Sequence, residues 1–86
     1  SANTTLGRNR AFREIEVAGR ALARGRFAEA SAAGERAAQL ARRFADRHHE
    51  AQGWGAIVSA SLRLGNIASA LDASERILAT GHLDWG

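Results

Sequence analysis

The chain of 86 residues has a mass of 9.2 kDa, no cysteine, and twelve basic residues, all arginine, against nine acidic ones, for a net charge of +3. A chain of this size holds one small domain, and area scaling gives roughly 13,000 Å² exposed when unfolded against about 5,000 Å² when compact, so about three-fifths of the surface can be buried. The missing cysteine excludes a disulfide framework and a thiolate zinc site, and no apolar run is long enough for a transmembrane helix, so a soluble, cytoplasmic setting is the expectation.

Arginine without lysine, beside abundant alanine and glycine, points to a high-GC bacterial genome. The charge is uneven: residues 1–26 carry six Arg against two Glu, residues 27–50 four against four, and residues 51–86 two against three. The basic N-terminal segment is one reading of a nucleic-acid surface. The plainer reading is a solvated helix face, since Glu16 precedes Arg20 at the i,i+4 spacing of a helical ion pair.

Taken in chain order, Ser1-Ala2-Asn3 carries no secretory pattern, and residues 1–5 read as a tag or flexible N-terminus. Proline is absent, and alanine, leucine, arginine and glutamate favour helix almost throughout. Phe12, Ile15, Ala18 and Leu22 recur at helical spacing, and Gly25-Arg26 interrupts them. Phe27, Ala30, Gly34, Ala37, Ala41 and Phe44 then resume the period. The second half repeats this. Trp54, Ile57, Ser61 and Leu62 form one stripe, Gly65-Asn66 breaks it, and Ile67, Ala70, Leu71, Ser74, Ile77 and Leu78 form another before Thr80-Gly81 closes the helix. The expected helices are residues 6–24, 28–44, 47–64 and 67–80. The tail His82-Leu83-Asp84-Trp85-Gly86 stops where a new apolar pattern would begin, so residues 81–86 read as a truncated tail and the chain as a fragment of a longer protein.

The turn segments Gly25-Arg26-Phe27-Ala28-Glu29-Ala30 and Gly65-Asn66-Ile67-Ala68-Ser69-Ala70 place glycine, a bulky apolar residue and alanine at the same offsets, a period of 40 residues that also pairs Glu35 with Glu75 and Arg36 with Arg76. Such a period marks stacked helical hairpins, neither of which buries its apolar faces alone. The fold class is therefore all-α, two stacked antiparallel hairpins, with repeats at residues 6–44 and 45–80. Ala30 and Ala70 are expected at close helix crossings.

Trp54, Val58, Ser61, Gly65, Ile67 and Ala70 in the second repeat, and Val17, Ala18, Gly25, Phe27, Ala30 and Ala37 in the first, resemble the tetratricopeptide repeat pattern. Glu14 and Ala21 depart from its bulky and aromatic positions, and its closing proline is absent. The longer period resembles the long-helix variety in large bacterial transcriptional regulators, peptide-sensing regulators and kinesin light chains. The resemblance covers residues 11–80. It implies an α-solenoid fragment whose concave face, along the first helix of each hairpin, binds a protein or peptide. The matching positions are Phe12, Ile15, Gly19, Leu22 and Ala23 in the first repeat and Gln52, Gly55, Ser59, Leu62 and Arg63 in the second. No member of the first set is charged, and an uncovered apolar strip marks an interaction site, unless adjacent repeats or a second copy cover it.

Little else in the sequence carries chemistry. Asp46, His48, His49 and Glu50 are the one cluster with ligand atoms, but adjacent histidines diverge by about 100° on a helix, unlike the i,i+4 pair of a helical zinc site. They read as solvated linker, with no metal. Gly53-Trp54-Gly55 lacks the strand and lysine of a phosphate loop and reads as close helix packing beside the indole. No G-x-S-x-G nucleophile elbow occurs, and a chain this small lacks layers that would exclude water from a triad. The expectation is a non-catalytic, cofactor-free binding module whose partner is a protein or peptide, an adjacent repeat or a second copy. The alternative is a small helical nucleic-acid-binding domain using the N-terminal arginines.

Overall fold

The absence of proline and the density of strong helix formers leave only the turns to divide the chain. The computed structural model describes residues 2–81, with side chains from residue 5, and folds them into four helices: α1 (Ala2–Ala23), α2 (Phe27–Arg43), α3 (Arg47–Leu64) and α4 (Ile67–Thr80). The central and C-terminal helices fall within a residue or two of expectation. Helix α1 begins at Ala2, not at residue 6, so residues 2–5 are helical where a tag or flexible segment was expected. Ser1 and the tail residues 82–86 lie outside the described residues.

All three connections use one device. A residue in the left-handed region follows each helix, Gly25 at φ 72°, Ala45 at φ 56° and Gly65 at φ 76°. The next backbone N–H reaches back to the carbonyl five residues earlier: Arg26 to Ala21 at 2.9 Å, Asp46 to Ala41 at 2.8 Å and Asn66 to Ser61 at 2.8 Å. This is the Schellman closure, which satisfies carbonyls that the end of a helix leaves unpaired. The same residues then head the next helix. Asp46 accepts from the His49 N–H at 3.2 Å and Asn66 from the Ser69 N–H at 3.2 Å, whereas Arg26 makes no side-chain cap. The turns recur at residues 25, 45 and 65, so the local period is half of the 40-residue repeat.

Turns this short force antiparallel neighbours. Helices α1 and α2 form one hairpin and α3 and α4 the second; α2 and α3 join the two, α1 also touches α3, and α4 packs on α3. The buried apolar residues are mostly alanines, with Trp54, Ile57 and Ile77 as the large exceptions. One cluster joins Ala38, Ala51, Trp54, Ile57, Ala73 and Ile77; a smaller one joins Ala21, Ala30 and Ala60, with Leu22 and Phe27 packed against it. Ala30 and Ala70 are both buried.

Methyl-sized side chains let the helices approach closely, and the nearest approach is at glycine. A Cβ on Gly34 would stand 2.7 Å from the Gly53 carbonyl oxygen, and one on Gly53 2.7 Å from both the Ala38 nitrogen and the Gly34 oxygen. These are backbone atoms that cannot rotate away, so α2 and α3 touch main chain to main chain. Beside this crossing the Trp54 indole N–H donates to Glu50 Oε2 at 3.0 Å, and the Arg76 guanidinium, held by Asp72 at 3.0 Å, lies over the indole at 4.8 Å. At the other end of α2, Phe44 packs so tightly on α1 that any Cβ at Gly7 would overlap its ring.

Candidate binding groove

Helices α1 and α3, the first of each hairpin, lie side by side and pack on each other. The Phe12 ring meets the His49 ring edge-on at 6.1 Å, and Leu22 packs on the cluster that contains Ala60. The two helices that carry the expected groove residues therefore meet, and they do so through His49 and Ala60, which the expected set did not include.

Its residues differ in accessibility. Phe12 is 50% exposed and Leu62 55%, and Gly19, Ala23, Ser59 and Arg63 are also exposed. Ile15, Leu22 and Gln52 are half-buried, and Gly55 is buried. The strip is thus narrower than the sequence suggests: Ile15 and Leu22 turn partly toward the neighbouring helices, and Leu22 belongs in part to the core. Arg63 lies over the Phe27 ring at 5.4 Å, which ties it to the start of α2.

At the head of this face stands a polar cluster that the sequence reading set aside as solvated linker. Asp46 is only 8% exposed and sits beneath the first turn of α3. Its Oδ2 accepts from His49 Nδ1 at 2.5 Å, and the Arg8 guanidinium comes within 3.9 Å. Burial alone would raise the Asp46 carboxyl, but the hydrogen bonds from the His49 ring and backbone and the charges of His49 and Arg8 outweigh it, holding the carboxyl below its ordinary range. The signal was present in the sequence, because an aspartate just before a helix is a favoured N-cap. His48 and His49 meet edge-on, and the rings around His49, those of His48 and Phe12, offer no hydroxyl or thiol. Among the described residues no three His, Asp or Glu side chains converge as a metal site.

A concavity of about 550 Å³ lies elsewhere: between α2 and α4, lined by Ser31, Glu35, Trp54, Ile57, Ser69 and Asp72 among others. It is open, and its floor is the nearly buried Trp54.

The arginines of α1 form a second surface. Arg10, Arg13 and Arg20 are all exposed, lie on one face by helical periodicity, and have no carboxylate partner among the described residues. The Glu16–Arg20 pair that the spacing suggested does not close. Glu14 instead pairs across the hairpin with Arg36.

No helix among the described residues is long and apolar enough to cross a membrane. Comparison of the chain with family models, curated proteins and solved structures gave no match.

Proposed function

We propose that the chain is a non-catalytic protein–protein interaction module, a tetratricopeptide-like pair of hairpins from a larger bacterial cytoplasmic protein of the transcriptional-regulator kind. The observation that carries this reading is the exposure of Phe12 and Leu62 on the paired first helices, beside Gly19 and Ser59, small residues that leave room for an incoming backbone. The occupant would be an amphipathic helix that lays apolar anchors at i, i+3, i+4 and i+7 along α1 and α3. Each large side chain so buried contributes about 1.5 to 3 kcal/mol.

The test is selection of helical peptides from a displayed library on the immobilised chain, followed by competition against a Phe12→Glu, Leu62→Glu variant. Both positions are solvent-exposed, so the variant keeps its helical circular dichroism and loses the selected peptides. A variant that binds them as well as the parent chain refutes the groove.

A second reading, a nucleic-acid-binding domain, draws on the unpaired arginine face of α1. Phosphate contacts would make binding to duplex DNA fall steeply with salt. Salt-insensitive or absent DNA binding dismisses it.

A further inference from the structure

A second cleft, about 330 Å³, lies among the end of α2, the start of α3 and the C-terminal half of α4, lined by Arg42, Arg47, Glu50, Arg76, Ala79 and Thr80. Each of the three helices contributes one arginine to it. Arg42 and Arg47 are exposed and have no carboxylate partner among the described residues. The third arginine is already oriented: the Arg76 Nε–H donates to Asp72 at 3.0 Å and the guanidinium lies over the Trp54 indole at 4.8 Å, which leaves its terminal nitrogens free of a carboxylate. Glu50, the one carboxylate in the lining, accepts from the indole N–H at 3.0 Å. Three guanidiniums thus line a cleft that holds a single carboxylate.

The ordinary needs of a helical stack do not call for this arrangement. The helix dipole favours a cation in a last turn, which accounts for Arg42. Arg47, however, is the first residue of α3, where the same dipole opposes a cation. Nor does the repeat impose it. Forty residues earlier, the positions of Arg42, Arg47 and Thr80 hold Ala2, Gly7 and Leu40, and Arg36, the counterpart of Arg76, pairs with Glu14 instead. Like charges gathered around a concave surface repel one another and focus a field that draws in an anion.

We propose that this cleft binds a phosphate monoester through Arg42, Arg47 and Arg76. Guanidinium forks match phosphate oxygens in pairs, and arginines that arrive from three helices suit a tetrahedral head with three terminal oxygens better than a planar carboxylate with two. The volume is at the small end for ligand sites, room for a phosphate head and a short stem, with Ala79 as the apolar member of the lining. Glu50 opposes an anion, and the indole N–H that it accepts offsets part of its charge. The head can belong to a small phosphorylated molecule or to a phosphorylated side chain of a partner; the chemistry at the arginines is the same.

The test titrates the full chain, labelled with nitrogen-15, with inorganic phosphate and separately with N-acetyl-phosphoserine methylamide, at about pH 7.5, where a monoester has lost its second proton. Chloride at matched ionic strength is the control. The reporter is the Trp54 indole N–H resonance, told from that of the second tryptophan by a Trp85→Phe variant, because this indole touches both Glu50 and Arg76. A saturable shift with phosphate and none with chloride is expected. Arg42→Gln and Arg47→Gln, at exposed positions, should keep the helical circular dichroism and each weaken binding at least about tenfold, whereas an Arg10→Gln, Arg13→Gln pair on α1 should leave it unchanged. Equal affinity for the two probes supports recognition of the head alone, and tighter binding of the phosphoserine derivative supports a phosphorylated partner side chain. A shift that does not saturate, one that chloride reproduces, or an equal loss from the α1 pair overturns the proposal. None of these measurements involves Phe12 or Leu62, so failure of the groove reading leaves this one standing, and the reverse.

Discussion

Of the three Schellman turns, the middle one places Ala45 where the other two place glycine, at φ 56° beside 72° and 76°. The left-handed conformation brings Cβ too close to the following carbonyl and costs a residue other than glycine about 1 to 2 kcal/mol. Ala45 is exposed, so its methyl returns little by packing. Replacement by glycine removes that strain but gives the unfolded chain more freedom, a loss of about 0.4 to 1 kcal/mol. The net expectation for Ala45→Gly is a gain of about 0.5 to 1 kcal/mol, which in a domain of this size raises the melting midpoint by roughly 2 to 8 °C. The reverse changes, Gly25→Ala and Gly65→Ala, should each lower it by a comparable amount, since a Cβ at either position meets nothing within 4 Å and only backbone strain is at issue. Thermal unfolding of the three variants followed by circular dichroism is the assay. An Ala45→Gly variant no more stable than the parent, while either glycine-to-alanine change is harmless, refutes the shared turn geometry.

The α2–α3 crossing gives a change in the opposite direction. Gly53→Ala adds a methyl against the Ala38 and Gly34 main chain, and despite alanine's better helix propensity it should destabilise by about 1 to 2 kcal/mol, seen as a lower urea midpoint. A Gly53→Ala variant as stable as the parent would show that the helices do not touch there. The Asp46 carboxyl, held below its ordinary range in the folded state, stabilises fully above its unfolded pKa, about 3.9, and that contribution disappears as pH falls through the lower folded value. Acid titration of the melting midpoint should therefore show a loss below about pH 4 that Asp46→Asn, which keeps the cap acceptor for the His49 N–H, reduces. Identical acid profiles would remove Asp46 from that role.

Much of this architecture is legible in the sequence because it is local. Gly25-Arg26 and Gly65-Asn66 announce their turns through the one residue suited to positive φ, and the apolar period between them needs no tertiary information. The same logic explains what is hidden. Ala45 occupies an identical turn without carrying its chemical signature, so the half-period of 20 residues emerges only in the backbone. Gly34 and Gly53 are 19 residues apart in sequence, and which two glycines meet is decided by helix register, a long-range property. In the expected groove, helical spacing marks a face but not its depth: Ile15 and Leu22 sit at the margin between α1 and its neighbours, so most of each side chain is spent on packing. Ile67, Leu71 and Leu78 on α4 are exposed although their spacing marks an apolar stripe, because spacing does not say what packs on a stripe.

The alanine-rich interior also sets how this chain tolerates genetic change. Most core mutations in proteins shrink a large side chain and leave a cavity, but a buried alanine has little to lose and only space to exceed. Damaging substitutions should therefore concentrate among those that add volume or charge at Ala30, Ala37, Ala38 and Ala41, all with no exposed surface. Trp54, Ile57 and Ile77 are the few places where removing atoms should be felt in the ordinary way. Sequence drift in such a protein is channelled toward exchanges among glycine, alanine and serine inside, and is free on the arginine-bearing exterior. Relatives that have diverged along that channel would keep the backbone while discarding nearly every side chain by which kinship is usually detected.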